Sequence, residues 1–546
     1  MTGPVSFDVA VVGSGASAVH VAWPLVHARL RVGMLDVGHR DQHYASLVPQ
    51  KSFTEVRHLD PAQHRYFLGD QFEGIAFGRV RVGAQLTPPR LYIIHDTDRL
   101  APLVSDTLSA LQSLALGGLG AGWGASTMPF SEADLASWPI GRPDLQPHYD
   151  AIAARIGICG TNDDLEPFIG HVDGLMSPTH LDSNAEGIYA RYLRKRADLN
   201  RAGFYMGRPW LAVATREHRG RGPLQYHDME FWSDHDRSVY RPQYTVEELQ
   251  RFPNFSYHDG LLVERFEQGA SGEQVIVSCL NLKTGRREQL TARRLVLAAG
   301  TLGTARIVLR SLNRFDEPVP LLTNPYTYFP CLNLPQLGKA TRDARYSLAQ
   351  LTMIFDPAGT RRHVLQLQLY SYRSLLLFKL VKESPLAYRE SLRLMHLLQD
   401  CLVIVWVFHE DHPAKNKFIK LSGGRDGQQD WLEATYQLDA HIEQYQRRQE
   451  RRILKCLLKL GCLPLKAIRL GHGSSIHYAG SFPMAHDGPP LTTRPTGQLR
   501  AAPLVYLADG STFPNLPTKS ITFTLMANAN RIGGLLRDAL LKRDAG

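Results

Sequence analysis

Cysteine is scarce in this chain. The six residues, Cys159, Cys279, Cys331, Cys401, Cys456 and Cys462, form no CxxC pair. That removes a dithiol redox centre, and with it a nucleotide-disulfide reductase; neither disulfides nor a thiolate metal site are expected. Long apolar runs are missing too. The longest, Cys401 to Phe408, has eight residues, whereas a membrane-spanning helix needs about twenty. There is no basic tail, and a net charge of +10 on 546 residues is modest, so no nucleic-acid partner is expected. Internal repeats and low-complexity linkers are absent. His218, His227 and His235 are scattered without ligand spacing and read as surface residues, and no metal is expected. A glycine motif begins about a dozen residues after Met1, which leaves no room for a cleavable signal peptide. The expected location is cytoplasmic.

What is present is an ordinary globular composition, with 44% hydrophobic and 21% charged residues. The length implies roughly three domains, or fewer if they are large. The short apolar run Phe7 to Val12 has the character of a buried parallel strand. It leads into Gly13-Ser14-Gly15-Ala16-Ser17-Ala18, a GxGxxA turn. Glycines there permit a tight turn and close backbone approach to a pyrophosphate, and the following helix offers its N-terminal N–H groups to the anion. A second strand, Leu30 to Leu35, ends at Asp36, 21 residues after Gly15. An acid at that distance suits a ribose hydroxyl. Strand, turn, helix, strand and acid in register predict a dinucleotide site.

Five glycines fall within the eight residues Gly117 to Gly124, with Gly118, Trp123 and Gly124 in a stretch that runs on to Ala125. That density suggests backbone wrapped around a flat ligand. The stretch contains no histidine or cysteine for covalent attachment. Ser131 to Leu135 reads as a capped helix start and Leu145 to Ile156 as a helix with Pro147 near its first turn. Phe255 to Leu280 reads as two strands separated by Gly269 to Gly272. The strand Arg294 to Gly300, containing Ala299 and Gly300, runs into another helix, a second junction suited to a phosphate or adenosine. Tyr346 to Leu369 alternates like a strand pair, Cys401 to Phe408 reads as a central strand, and Leu438 to Leu460 as a long helix whose Arg447, Arg448, Arg451 and Arg452 are solvated. Ser374 to Leu398 reads as two helices broken at Pro385. Their apolar faces (Leu375, Leu376, Phe378, Leu380; Leu392, Met395, Leu397) suit a core, with a substrate entrance or a peripheral membrane face as alternatives. Near the C-terminus His477 lies in a Gly- and Ser-rich approach, a strand ends in Asp509-Gly510, and a helix follows Ser520-Ile521.

Four segments together resemble the glucose–methanol–choline (GMC) oxidoreductase family: VVGSGASA with Asp36, GGLGAGWGA, LVLAAGTLGTARIVL, and HYAGSFPM with LADGSTFP and SITFTLMANANRI. They span the chain from end to end. The resemblance implies an α/β fold with a Rossmann-like FAD-binding lobe and a second, α+β lobe of sheet and helices that covers the flavin. The implied division is 1–170, 255–318 and 469–546 for the FAD lobe, with 171–254 and 319–468 for the substrate lobe. It implies non-covalent FAD. Gly13, Ser14, Gly15, Ala16, Ser17 and Asp36 would hold the ADP moiety, and Val263 would lie against adenine. Gly118, Trp123, Gly124 and Ala125 would run past the flavin. Ala299 and Gly300 would lie beside a phosphate or the adenosine end, Asp509, with Gly510, would sit near the pyrophosphate or ribityl chain, and the helix after Ser520 and Ile521 would face the flavin N1/C2 edge.

Alcohol oxidation needs a base for the hydroxyl proton, and a histidine with an ordinary pKa of about 6.5 suits it. His477 matches the family's active-site histidine. The family's second His or Asn falls, 43 residues later, on Ser520. Serine orients an alcohol but is no base near neutrality, so His477 acts alone, or Lys519 or Asn515 assists, or the chemistry differs. The expected activity is FAD-dependent oxidation of an alcohol on a sugar-like or hydrophobic intermediate, with dioxygen or a quinone-like carrier as electron acceptor. The alternative is a redox-neutral flavoprotein such as a lyase, with FAD structural.

Overall fold

The computed structural model describes residues 7–73, 87–269, 272–339, 341, 344–371, 374, 385–424 and 429–544. The first strand, Phe7–Val12, lies in the middle of a seven-stranded sheet, parallel to Val32–Leu35 on one side and to Arg286–Leu297 on the other. Val12 pairs with both Leu35 and Leu297, so the carboxyl ends of three parallel strands stop at one level. That is where doubly wound sheets bind ligands. Phe255–His258 extends the sheet past Val32–Leu35, and Val275–Asn281 with Leu261–Gln268 extend it beyond Arg286–Leu297. The C-terminal strand Val505–Leu507 returns to pair with Arg286–Leu297. Behind it, the final helix Thr522–Asp544 packs on the first helix, Ala16–His27. Both faces of the central strand are buried, which explains its unbroken apolar sequence.

A second seven-stranded sheet is antiparallel. Its main path runs Cys462–Pro464, Tyr326–Asn333, Leu402–Phe408, Leu365–Tyr370, Leu351–Phe355, Phe204–Gly207, with Ile468–Arg469 beside Tyr326–Asn333. Leu402–Phe408 is internal, as its sequence suggests. One face of this sheet carries Phe329, Cys331, Val403, Val405, Val407 and Leu367 and packs on Ile188, Tyr192, Ile453 and Leu457 of the helices Ser183–Arg194 and Ala440–Lys459. Each such side chain removed from water contributes about 1.5–3 kcal/mol. The other face turns toward the first sheet.

Some local expectations change. Ser131 to Leu135 forms turns rather than a helix. The Ser131 N–H and hydroxyl both donate to the Asp134 carboxylate at 2.7 Å, as in a cap, but Asp134 is held by Lys519 and Pro139 disfavours helical backbone just before it. Phe255 to Leu280 holds three strands, because Gly260, at φ 76°, breaks the first from the second. The helix Tyr388–Leu398 forms, with Met395 buried but Leu392 and Leu397 exposed; Leu375, Leu376, Phe378 and Leu380 lie outside the described residues. Among the described residues no helix is long and apolar enough to cross a membrane.

Candidate active site

A cavity of about 540 Å³ opens between the two sheets. Its wall begins at Asp36 and Val263 and ends at His477 and Ser520. The glycine turn forms the near end. Gly13 has φ 94°, and a Cβ there would sit 2.7 Å from the Ala298 carbonyl oxygen; only glycine fits. The Ser14 hydroxyl donates to Asp36 Oδ2 and accepts from the Gly117 N–H at 2.9 Å, tying the turn to the second glycine-rich stretch. A Cβ on Gly118 would stand 3.4 Å from Gly15 Cα, so the two glycine segments are in close approach. Tyr257 also donates to Asp36 Oδ2, at 3.0 Å. Burial nonetheless pushes the Asp36 carboxyl up to about 7.

Three helices begin on the cavity wall: Ala16–His27, Gly300–Ser311 and Thr522–Asp544. Their N-terminal N–H groups and dipoles favour negative charge there. The Asp509 carboxylate accepts from the Thr304 hydroxyl at 2.5 Å and the Ser511 N–H at 3.0 Å. Burial shifts it upward, and those hydrogen bonds oppose the shift. A cavity whose wall carries buried acids, glycine backbone and three helix N-termini fits a dinucleotide. Behind the wall, Gln366 Oε1 accepts from the Ser520 N–H at 3.1 Å, and the buried Gln366 Nε2 has no partner. The glycine backbone, helix starts and buried acids on the wall suit FAD.

The geometry around His477 is specific. Asn324, 1% exposed, donates through Nδ2 to the carbonyls of His409 (2.8 Å) and Pro517 (2.9 Å). Its amide orientation is therefore fixed, and its Oδ1 faces His477 Nδ1 at 2.9 Å. Nδ1 must carry the hydrogen, and Nε2 keeps a lone pair. The imidazole stacks on Phe408, with ring centroids 5.9 Å apart. Desolvation pushes its pKa down to about 4, so the ring is neutral at ordinary pH.

Gly13, Ser14, Gly15, Ala16, Ser17, Asp36, Gly118, Trp123, Gly124, Val263, Ala299, Gly300, His477, Asp509, Gly510, Ser520 and Ile521 all line this one cavity. Ala125 does not. It is fully buried at φ 57°, and its carbonyl accepts from the Ala212 N–H at 2.8 Å. Lys519 and Asn515 are also off the wall. The Lys519 ammonium binds the Asp134 carboxylate and the Phe168 carbonyl. Asn515 accepts from Trp138 Nε1 at 2.6 Å and donates to the Asp134 carbonyl at 3.2 Å. Neither is free to assist His477. Two groups of potential metal ligands occur among the described residues, His39 with His95 and Asp96, and His363 with Glu410 and His412; none of them lines the cavity. Asn324, Gln366 and Tyr257 escaped the reading of the sequence, because a lone Asn, Gln or Tyr carries no spacing signal.

The sequence profile of the family described as GMC oxidoreductase matches residues 438–529. A 6'''-hydroxyparomomycin C oxidase from Streptomyces lividus is 26% identical, with 96% of this chain aligned to 90% of the relative. A paromamine 6'-oxidase from Streptomyces fradiae is 25% identical over 56% of this chain, which spans about half (49%) of that relative. Among solved structures, a pyridoxine 4-oxidase from Mesorbium loti superposes with a TM-score of 0.58 at 14% identity, covering 97% of this chain and 98% of the other. A formate oxidase from Aspergillus oryzae superposes with a TM-score of 0.61 at 11% identity, covering 99% and 100%. The fold is shared along the whole chain, and the family-specific match falls on the segment that carries His477, which is similar to the C-terminal part of the GMC oxidoreductases.

Proposed function

We propose that this chain oxidises an alcohol to a carbonyl compound, with His477 as the base. The observation that carries this reading is the His477–Asn324 contact, which leaves a neutral imidazole with its Nε2 lone pair unshared at the inner end of the cavity. Nε2 accepts the substrate hydroxyl proton. Ser520, on the same wall, orients the alcohol oxygen by hydrogen bonding. The glycine segments and the helix starts would hold FAD, without a covalent bond, and the flavin would supply the acceptor for the hydride leaving the carbinol carbon. The start of helix Thr522–Asp544 then faces the negative charge that develops, an effect of about 0.3–1 kcal/mol and up to ~2 when partly buried. In this reading residues 1–170, 255–318 and 469–546 form the FAD lobe, and 171–254 and 319–468 the substrate lobe. The two relatives are named as oxidases, which supports dioxygen as the electron acceptor.

The test is anaerobic mixing of the flavin-loaded enzyme with an alcohol panel, followed by air. Wild type should lose and then regain flavin absorbance. His477→Ala should slow the loss by about 10²- to 10⁴-fold, the usual worth of a positioned base. Equal rates in the two would reject His477. Product formation with no flavin reduction and no acceptor would replace oxidation by the redox-neutral reading.

A further inference from the structure

The second sheet presents to the cavity a face whose polarity changes along its length. Register fixes the order. Tyr326 lies beside Phe408, and one pleat further Tyr328 lies beside Trp406. Pro330 then pairs with Ile404, and Leu332 with Leu402. Paired residues share a face, so these four rows run in one direction, away from the Phe408 ring that touches His477. The first rows are aromatic and stacked: Tyr326 lies 5.8 Å from Phe408 and 5.5 Å from Trp406. Their polar neighbours on the adjoining strand are occupied with one another, since Tyr370 donates to Gln368 at 2.6 Å and Gln368 donates to Ser126 at 2.8 Å. The later rows are aliphatic. They end at Leu463, which pairs with Leu332 and is 38% exposed, and at Leu465, which is 53% exposed.

Two residues rise about 6.7 Å along a strand, so four rows make an apolar track of about 20 Å from the base to the surface. Charge is missing from it. Among the described residues the carboxylates on the cavity wall are Asp36, Asp509 and Glu230. The first two belong to the nucleotide end. Glu230 lies against the Ser347 N–H at 3.0 Å, and burial pushes it up to about 8, which leaves it uncharged near neutrality. A polycationic sugar finds no counter-charge here, whereas each methylene laid on the track gains about 0.8 kcal/mol.

We propose that the substrate is an alcohol carried on a long apolar tail, with the tail lying along the strands Tyr326–Asn333 and Leu402–Phe408 and emerging at Leu463 and Leu465. This rests on the alcohol oxidation proposed above. The experiment measures kcat/KM for butanol, hexanol, octanol and decanol, with paromamine as the polar comparison and flavin bleaching as the readout. The expected result is a rise of up to about fourfold per methylene, which is that transfer energy expressed as a rate ratio. Leu402→Glu, and separately Leu463→Glu at the exposed end, should collapse the decanol-to-butanol ratio at least tenfold; bound flavin reports that each variant is folded. A flat or falling series with the flavin still bleached by short alcohols would overturn the track and leave alcohol oxidation standing. Paromamine turned over better than every straight-chain alcohol would overturn it too. Bleaching by none of these compounds would remove the underlying reading as well.

Discussion

His477 is useful as a base only while it is neutral and held in one tautomer, and two different features provide these conditions. Burial disfavours the imidazolium, and the fixed amide of Asn324 selects the Nδ1–H form. The sign of the pH effect follows. A histidine with an ordinary pKa of about 6.5 when unfolded and about 4 when folded binds more protons in the unfolded state between those values. Stability therefore rises with pH across that window and is lost below it. The kcat/KM profile should keep its acid limb near pH 4, and a limb near 6.5 would contradict the desolvated site. Asn324→Ala removes the acceptor of Nδ1–H and strands two buried carbonyls, each costing about 1–3 kcal/mol. Its melting temperature should drop, and kcat should fall about 10- to 100-fold, as for other orienting contacts, with KM changing less. Of this site the sequence displayed His477 and Ser520, because motif and spacing mark them. Asn324 is 153 residues from His477, and no local pattern joins them.

At the scale of elements, the glycine turns take the backbone shape their spacing implies, because their constraint is local. Gly13→Ala forces a Cβ into left-handed backbone and against the Ala298 carbonyl. A strain of about 1–3 kcal/mol should leave a protein that purifies with little flavin, read as the ratio of flavin to protein absorbance. Strands buried on both faces, such as Phe7–Val12 and Leu402–Phe408, were legible as apolar runs. The turn at Ser131 was not, because its capping signal is real but Lys519, from the far end of the chain, recruits the same carboxylate. Ala125 shows a similar limit: a small residue after a glycine run reads as backbone near a ligand, whereas here it is buried and its carbonyl accepts from the Ala212 N–H.

At the scale of the molecule, the site exists only because the C-terminus returns to the N-terminus. Helix Thr522–Asp544 meets Ala16–His27 at Gly533, where a Cβ would collide with the Val21 carbonyl and lie 2.8 Å from Pro24 Cγ. Gly533→Val should push the last helix off the first and move its start at Thr522 away from the cavity. Expected are a lower melting temperature, reduced flavin content and slower flavin reduction by alcohols, although the substitution touches no cavity residue. Unchanged flavin content would show that the helix start is positioned by the His477–Asp509 segment alone.

The sequence by itself pointed to the nucleotide half of this protein and to the histidine proposed as its base. Glycine turns, helix starts and their paired acid are short-range patterns with fixed spacing, and four such segments in order carry the resemblance to the GMC oxidoreductases. Only the tertiary structure decided which nitrogen of His477 is free, that Lys519 and Asn515 are bound elsewhere, and that alternate residues of two separated strands form one apolar track. Those facts depend on strand register and on side chains meeting across more than a hundred residues, and a linear pattern carries no record of such meetings.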